Sequence, residues 1–176
     1  AADSSWADRV IHTQSGIELV LIPAGTFNMG TDGRNAGSNT IPLHKVTFAQ
    51  PFYMGKTEVT NAQYRRFAVA TKYDGKPDTD PAYDLYLRHW QVKSLMSKAD
   101  DYPVVWVSWH NAQAFCAWSE LSLPSEAQWE YACRASTTTP YYFGTEQKDF
   151  DDHGWGLTNS KGLTHPVATK KPNAWN

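Results

Sequence analysis

The sequence lacks the features that mark several common protein classes. It contains two cysteines, too few to form a disulfide framework on their own. No apolar run approaches the roughly 18–20 residues of a membrane-spanning helix. The net charge is −2 and the basic residues are scattered, so the charge pattern does not indicate nucleic-acid binding. Internal repeats, low-complexity tracts and Asn-x-Ser/Thr glycosylation sequences are also absent.

Aromatic side chains are abundant instead. The chain has 8 Trp, 9 Tyr and 7 Phe within a hydrophobic fraction of 41%. This composition is typical of a globular protein, and 176 residues are enough for one sizeable core. We predict a single domain over residues 1–176, in which residues 1–16 form an N-terminal extension.

The stretch Leu123–Arg134 carries the strongest helix signal. Ser125 is a good N-cap because its hydroxyl can accept a free backbone N–H, and Gln128 completes a capping box. The spacing i, i+3 and i+4 places three residues on one face of this helix: Trp129, Ala132 and Cys133. We therefore expect the helix to bury an indole and a thiol.

Two further helices are predicted from the same kind of start. Thr60 with Gln63 begins one, and Ser108 begins another over residues 109–120. Between them, residues 72–102 are hard to interpret, apart from a short helix near 85–90. Alternating or β-rich runs predict strands at 18–22, 26–30, 43–48, 52–54 and 103–107.

These segments, taken in order, resemble the formylglycine-generating enzyme (sulfatase-modifying factor) family. Leu-Pro-Ser-Glu-Ala-Gln-Trp-Glu-Tyr-Ala at 123–132 is similar to its signature helix. Two more family phrases are Glu-Val-Thr-Asn-Ala-Gln at 58–63 and Pro-Val-Val-Trp-Val-Ser-Trp at 103–109. The resemblance runs from about Ile17 to Asn176 and implies an α+β fold of the C-type-lectin-like kind with little regular secondary structure.

The resemblance also implies a chemistry. The family oxidises a cysteine of exported sulfatases to formylglycine with O2, copper and a pair of active-site cysteines, since a soft thiolate pair suits Cu(I). Those cysteines follow a Pro-Asn-aromatic phrase, which here is 172–175. We therefore expect this chain to be a non-catalytic N-terminal part whose partner is a C-terminal half or second chain. A protein or peptide substrate and a periplasmic or secreted location follow from the same resemblance.

The sequence is also compatible with two other functions. One is a non-enzymatic binding or accessory module on the same scaffold. Its motivation is a departure from the family at the substrate groove, where an acidic residue and an aromatic are replaced by Gly55 and Thr57. With Glu58, these two are the candidate groove residues. The other is a family branch that oxidises a siderophore-type metabolite.

The remaining candidates concern the cysteines and calcium. Cys116 and Cys133 match positions that form structural disulfides with C-terminal cysteines in some family members. Buried free thiols and a reactive or metal-binding pair are the two other interpretations. Asn159 resembles a residue of a family calcium loop and Asp152 lies just before it, so both are candidate oxygen ligands. The family's upstream Asn ligand is replaced by Trp155.

Overall fold

The fold mixes small antiparallel sheets with short helices. A computed structural model describes residues 6–32, 40–75, 85–91 and 99–176, so much of the stretch 72–102 lies outside the described residues. One sheet has the strand order β1-β2-β5, and a hairpin of β3 and β4 forms the other. The strands are β1 (Arg9–Ile11), β2 (Glu18–Ile22), β3 (Gly25–Met29), β4 (His44–Phe48) and β5 (Phe52–Gly55).

The helices begin where the capping signals place them. They are α1 (Asn61–Thr71), α2 (Arg88–Gln91), α3 (Trp109–Trp118), α4 (Glu126–Arg134) and α5 (Phe150–His153). Thr60, Ser108 and Ser125 each accept a backbone N–H from the third helical residue, whose side chain returns the bond. The three predicted starts are confirmed, and so is the α+β class with few regular elements.

Strand β2 joins two hydrophobic cores because its successive side chains point to opposite faces. Leu19 packs into the first core with Tyr64 and Phe67 of α1 and Phe115 of α3. On the other face of the strand, Val20 and Ile22 pack into the second core, with Tyr131 and Ala132 of α4. The unbroken apolar run of β2 is therefore explained by burial on both faces.

The predicted strand at 103–107 is wrong. Pro103 forms one isolated bridge with Thr60, and no strand continues after it. Trp106 has a φ of 58°, in the left-handed region, and its carbonyl accepts the Leu87 N–H at 2.9 Å. This segment thus bonds Leu87, the residue just before α2, and does not extend a sheet. Conversely, Arg9–Ile11, which the sequence placed in the N-terminal extension, pair with β2 as a sheet strand.

A buried polar cluster fastens α2 to the start of α1. The Asn61 amide oxygen accepts the Trp90 indole N–H and a bond from His89 Nε2, both at 2.8 Å. The Asn61 amide nitrogen donates to the Ala99 carbonyl at 2.9 Å. Since an indole nitrogen can only donate, this network assigns the proton of His89 to Nε2. The unprotonated Nδ1 is buried and has no hydrogen-bond partner within the described residues.

The buried imidazole predicts loss of stability in acid. Burial lowers the pKa of His89 from 6.5 to about 4. Between these values the unfolded chain binds more protons, so the free energy of unfolding falls as the pH falls from 6.5 toward 4. The full shift amounts to about 3 kcal/mol. Urea unfolding across this range should show the slope, and His89→Gln should flatten it. The exposed His44→Gln is the control, and an equal flattening there would contradict the assignment.

Candidate functional site

Helix α4 separates two cavities, and its two sides define the candidate site. The first cavity has a volume of about 920 Å³ and lies between α4, the β3–β4 hairpin and the loop at 136–140. The second, of about 610 Å³, lies between α4, residues 40–44 and the aromatic turn at 141–143. The cap at Ser125 fixes where α4 begins, and so which of its side chains face each of the two cavities.

Tyr131 closes the floor of the first cavity. Its ring is 4% exposed, and its hydroxyl donates to the Pro23 carbonyl at 3.2 Å. Gly25 is required beside it, because a Cβ at that position would lie 2.4 Å from the Tyr131 hydroxyl. The hairpin therefore approaches α4 as closely as a glycine allows.

Asn173 holds the C-terminal segment against α4. Its amide nitrogen donates to the carbonyls of Ala132 and Cys133 at 2.8 and 3.1 Å, and its oxygen accepts the Trp175 N–H at 2.9 Å. The Trp175 ring then packs edge-on against Tyr131, with ring centroids 4.9 Å apart. The Pro-Asn-x-aromatic phrase thus supplies one wall of the first cavity.

Several aromatic side chains line the second cavity, and one of them corrects a prediction about α4. Trp129 is 60% exposed and lines this cavity, so the expectation that the helix buries its indole is wrong. The buried ring of α4 is Tyr131, two residues later, while Cys133 is half-buried at the cavity wall. Phe143 and Phe150 face the same space.

A charged pair lies between the two cavities. Glu130 Oε1 accepts from Arg134 Nε at 2.8 Å and lies 2.7 Å from Arg134 Nη2, so one oxygen receives both bonds. The same oxygen accepts the Gly30 N–H at 3.2 Å, which ties α4 to the end of β3. Arg134 lines both cavities, and Lys45 is a second cation in the wall of the first.

The two cysteines are free and lie in different environments. Cys116 packs against the first core, whereas Cys133 borders the second cavity. Burial raises the pKa of both thiols, and at Cys133 the Arg134 cation opposes this rise. Both side chains therefore favour the neutral thiol, which is a poor nucleophile and a poor metal ligand. The predicted disulfides to other polypeptide stay a prediction.

The predicted groove residues do not line either cavity. Gly55 ends β5 opposite Leu19, and the Thr57 hydroxyl donates to the Glu58 carbonyl at 3.0 Å. Glu58 is exposed just before the α1 cap. Sequence reasoning instead missed the Ser-Thr-rich loop at 136–140, which lines the first cavity. Its composition is ordinary for a loop, so the sequence held no signal for that role.

The calcium candidates are already hydrogen-bonded within the chain. Asn159 bonds the backbone of Gly156 and Gly154, and the Asp152 carboxylate pairs with Lys171 at 2.6 Å. The hydrogen bond and charge of Lys171 lower the pKa of Asp152. Within the described part of the chain, no group of three or more His, Cys, Asp and Glu side chains is placed to hold a metal ion.

The cap of α4 supports the site and gives a modest prediction. Ser125→Ala removes the bond that the Gln128 N–H makes to the serine hydroxyl at 3.2 Å. We expect the free energy of unfolding to fall by about 1 kcal/mol in a urea titration. Ser122→Ala, an exposed serine three residues earlier, should change it little. Equal effects of the two variants would contradict the capping role.

Together, the fold and the site define an α+β protein built around a capped helix that carries Glu130, Tyr131 and Arg134 between two cavities. The family model for the sulfatase-modifying factor enzyme 1-like domain matches residues 8–176. The chain belongs to this family, and the resemblance of its ordered phrases is confirmed.

Relatives and a solved structure show the range of the family. The chain is 32% identical to formylglycine-generating enzyme from Bos taurus, over 66% of this chain and 39% of that protein. It is 27% identical to inactive C-alpha-formylglycine-generating enzyme 2 from Bos taurus, over 72% and 52%. It is 30% identical to hercynine oxygenase from Mycolicibacterium smegmatis, over 65% and 31%. The structure of PvdO from Pseudomonas aeruginosa superposes with a TM-score of 0.77 at 26% identity, over 98% and 70%.

Two general properties follow from these findings. The family has relatives that oxidise their substrates, and the chain spans between about a third and about half of the length of these curated relatives. No helix among the described residues is long and apolar enough to cross a membrane.

Proposed function

We propose that this chain is the N-terminal scaffold of a formylglycine-generating-type oxidising enzyme. The complete enzyme uses O2 and copper to oxidise a cysteine, or a related group, in an exported protein or peptide, in the periplasm or outside the cell. The observation that carries this proposal is the family match over residues 8–176, with 32% identity to a formylglycine-generating enzyme.

The second cavity supports a peptide substrate. Exposed and half-buried aromatic walls with one charged pair are typical of surfaces that hold peptide side chains. Trp129 and Phe143 supply apolar contact, and Arg134 can fix an acidic or carbonyl oxygen. In this role the chain binds and orients the substrate, and its own residues perform no bond-breaking step.

The described residues do not fit a copper centre. Cu(I) favours a soft thiolate pair, whereas Cys116 packs against the first core, Cys133 borders the second cavity, and burial raises the pKa of both thiols. We therefore assign the copper-holding cysteines to a C-terminal half or a second chain that packs on this one. Large apolar side chains left exposed outside the two cavities support such a partner: Trp109 at 61% and Leu157 at 99%.

Oxygen consumption tests the enzymatic proposal. The full-length gene product, loaded with copper, is mixed with a cysteine-containing peptide while O2 uptake and thiol loss are recorded. We expect both signals to rise together and to stop when the peptide thiol is blocked. Copper-loaded protein that binds the peptide without consuming O2 would contradict the proposal.

A non-enzymatic module is the second candidate, and one observation favours it. A relative 27% identical to this chain is named as inactive, so the scaffold also occurs without catalysis. The Gly55 and Thr57 departures from the family groove agree with that reading. Full-length protein that takes up no copper would support it. The third candidate is a branch that oxidises a siderophore-type metabolite, and a relative named hercynine oxygenase agrees with oxidation of a small molecule. The same O2 assay, with such a metabolite in place of the peptide, tests that branch.

A further inference from the structure

We propose that the loop at 154–165 is closed by side chains of this chain and does not bind calcium, although the family resemblance places a calcium ligand at Asn159. The proposal depends on the contacts of this loop and not on the proposed oxidation. The test measures metal binding and thermal stability, so the calcium proposal can fail while the enzymatic proposal stands.

Asn159 is turned toward its own backbone. Its amide oxygen accepts the Gly156 N–H at 2.7 Å, and its amide nitrogen donates to the Gly154 carbonyl at 2.9 Å. Both ends of the amide are therefore used to form the turn. Calcium needs six to eight oxygens converging at about 2.3–2.6 Å. The two backbone bonds fix the orientation of the amide, and its oxygen has only one lone pair left for a metal ion.

Two lysines lie against oxygens of the acidic residues beside the loop. Lys171 Nζ lies 2.6 Å from Asp152 Oδ2, and Lys170 Nζ donates to the Asp151 carbonyl. The Asp151 carboxylate accepts the Thr158 hydroxyl at 3.4 Å. Two ammonium groups thus bond the carboxylate and carbonyl oxygens that would otherwise face a divalent ion, and their charge opposes its approach.

Trp155 stands in the sequence where the family resemblance expects a polar ligand, and its side chain is 41% exposed. Its ring stacks on the His165 ring with centroids 3.6 Å apart and an interplanar angle of 13°. Lys170 Nζ lies 3.7 Å from the Trp155 ring centroid, a cation–π distance. The indole N–H donates to the Thr169 hydroxyl at 3.3 Å, which ties the loop to the following segment. The Trp155–His165 stack and the Lys170 ammonium therefore hold the loop in place, as a bound metal ion would.

Thermal unfolding of the 176-residue chain tests this proposal. We expect the same Tm in millimolar CaCl2 and in EGTA, and no saturable terbium emission sensitised by tryptophan. Lys170→Met should lower the Tm by about 2–4 °C because it removes the ammonium from the ring and the carbonyl. The matched control is Lys148→Met, an exposed lysine, which should leave the Tm unchanged.

Two results would overturn the proposal. One is a saturable rise in Tm with calcium that is abolished by Asp152→Asn, since this would place the metal at the loop. The other is a Lys170→Met variant no less stable than Lys148→Met. Asp152→Asn changes an exposed side chain and should fold, so the metal test does not depend on the lysine variants.

Discussion

Replacing Tyr131 with alanine is expected to lower the free energy of unfolding by about 3–5 kcal/mol, the range for truncating a large buried aromatic. The ring is 4% exposed and lies 5.2 Å from Phe27, 5.0 Å from Phe48 and 4.9 Å from Trp175, measured between centroids. Truncation would leave a void in the second core where the hairpin, α4 and the C-terminal segment meet. Urea unfolding measures the loss.

Two variants separate packing from other effects at Tyr131. Tyr131→Phe keeps the ring and loses the bond to the Pro23 carbonyl, so it should cost only about 1 kcal/mol. Trp129→Ala removes a larger ring from the same helix, but one that is 60% exposed, and should cost less than about 1 kcal/mol. A Tyr131→Ala protein as stable as Trp129→Ala would contradict the assignment of Tyr131 to the second core.

The second large effect is expected at Asn61, where alanine should also cost about 3–5 kcal/mol. The side chain is fully buried and bonds His89, Trp90 and the Ala99 carbonyl. Its removal leaves three buried polar groups without their partner, each costing about 1–3 kcal/mol, with partial relief from relaxation. Because these bonds join α1 to α2, the loss should appear in urea unfolding together with a change in the intrinsic tryptophan fluorescence, to which Trp90 contributes.

Asn28 provides the control for Asn61. It is an exposed asparagine of β3, and its replacement by alanine should change the free energy of unfolding by no more than about 0.5 kcal/mol. If Asn61→Ala proved equally mild, the polar cluster would not be what fastens α2 to α1.

The helix starts could be predicted because a capping box is local. Thr60, Ser108 and Ser125 find their partners three residues away, so the sequence contains the whole interaction. Strand β2 was equally clear, since five successive residues suit a strand buried on both faces. These elements place α4 and β2, and with them the centre of the second core.

The orientation of α4 was harder to predict. The i, i+3, i+4 pattern at Trp129 selects one face, but Tyr131 offers a neighbouring face of similar size. The choice is made by Gly25, whose missing side chain admits the Tyr131 hydroxyl. That contact joins residues more than a hundred positions apart in the chain, and a local pattern carries no information about it.

The cavities could not be predicted for the same reason. Glu130 on α4 bonds the Gly30 N–H across 100 residues, and this contact sets the wall between the cavities. The predicted strand at 103–107 failed because composition favours extension there, whereas the carbonyl of Trp106 is needed to bond Leu87. In both cases a tertiary contact overrides the local preference.

We propose that this chain is a scaffold and that the thiolates that hold copper belong to a C-terminal half or a second chain. Anaerobic Cu(I) titration against a competing chelator, performed in parallel on the 176-residue chain and the full-length gene product, tests it most directly. We predict stoichiometric Cu(I) binding by the full-length protein and none by the chain, with Cys116→Ala and Cys133→Ala leaving the full-length titration unchanged. Tight Cu(I) binding by the 176-residue chain that is lost in either variant would contradict it.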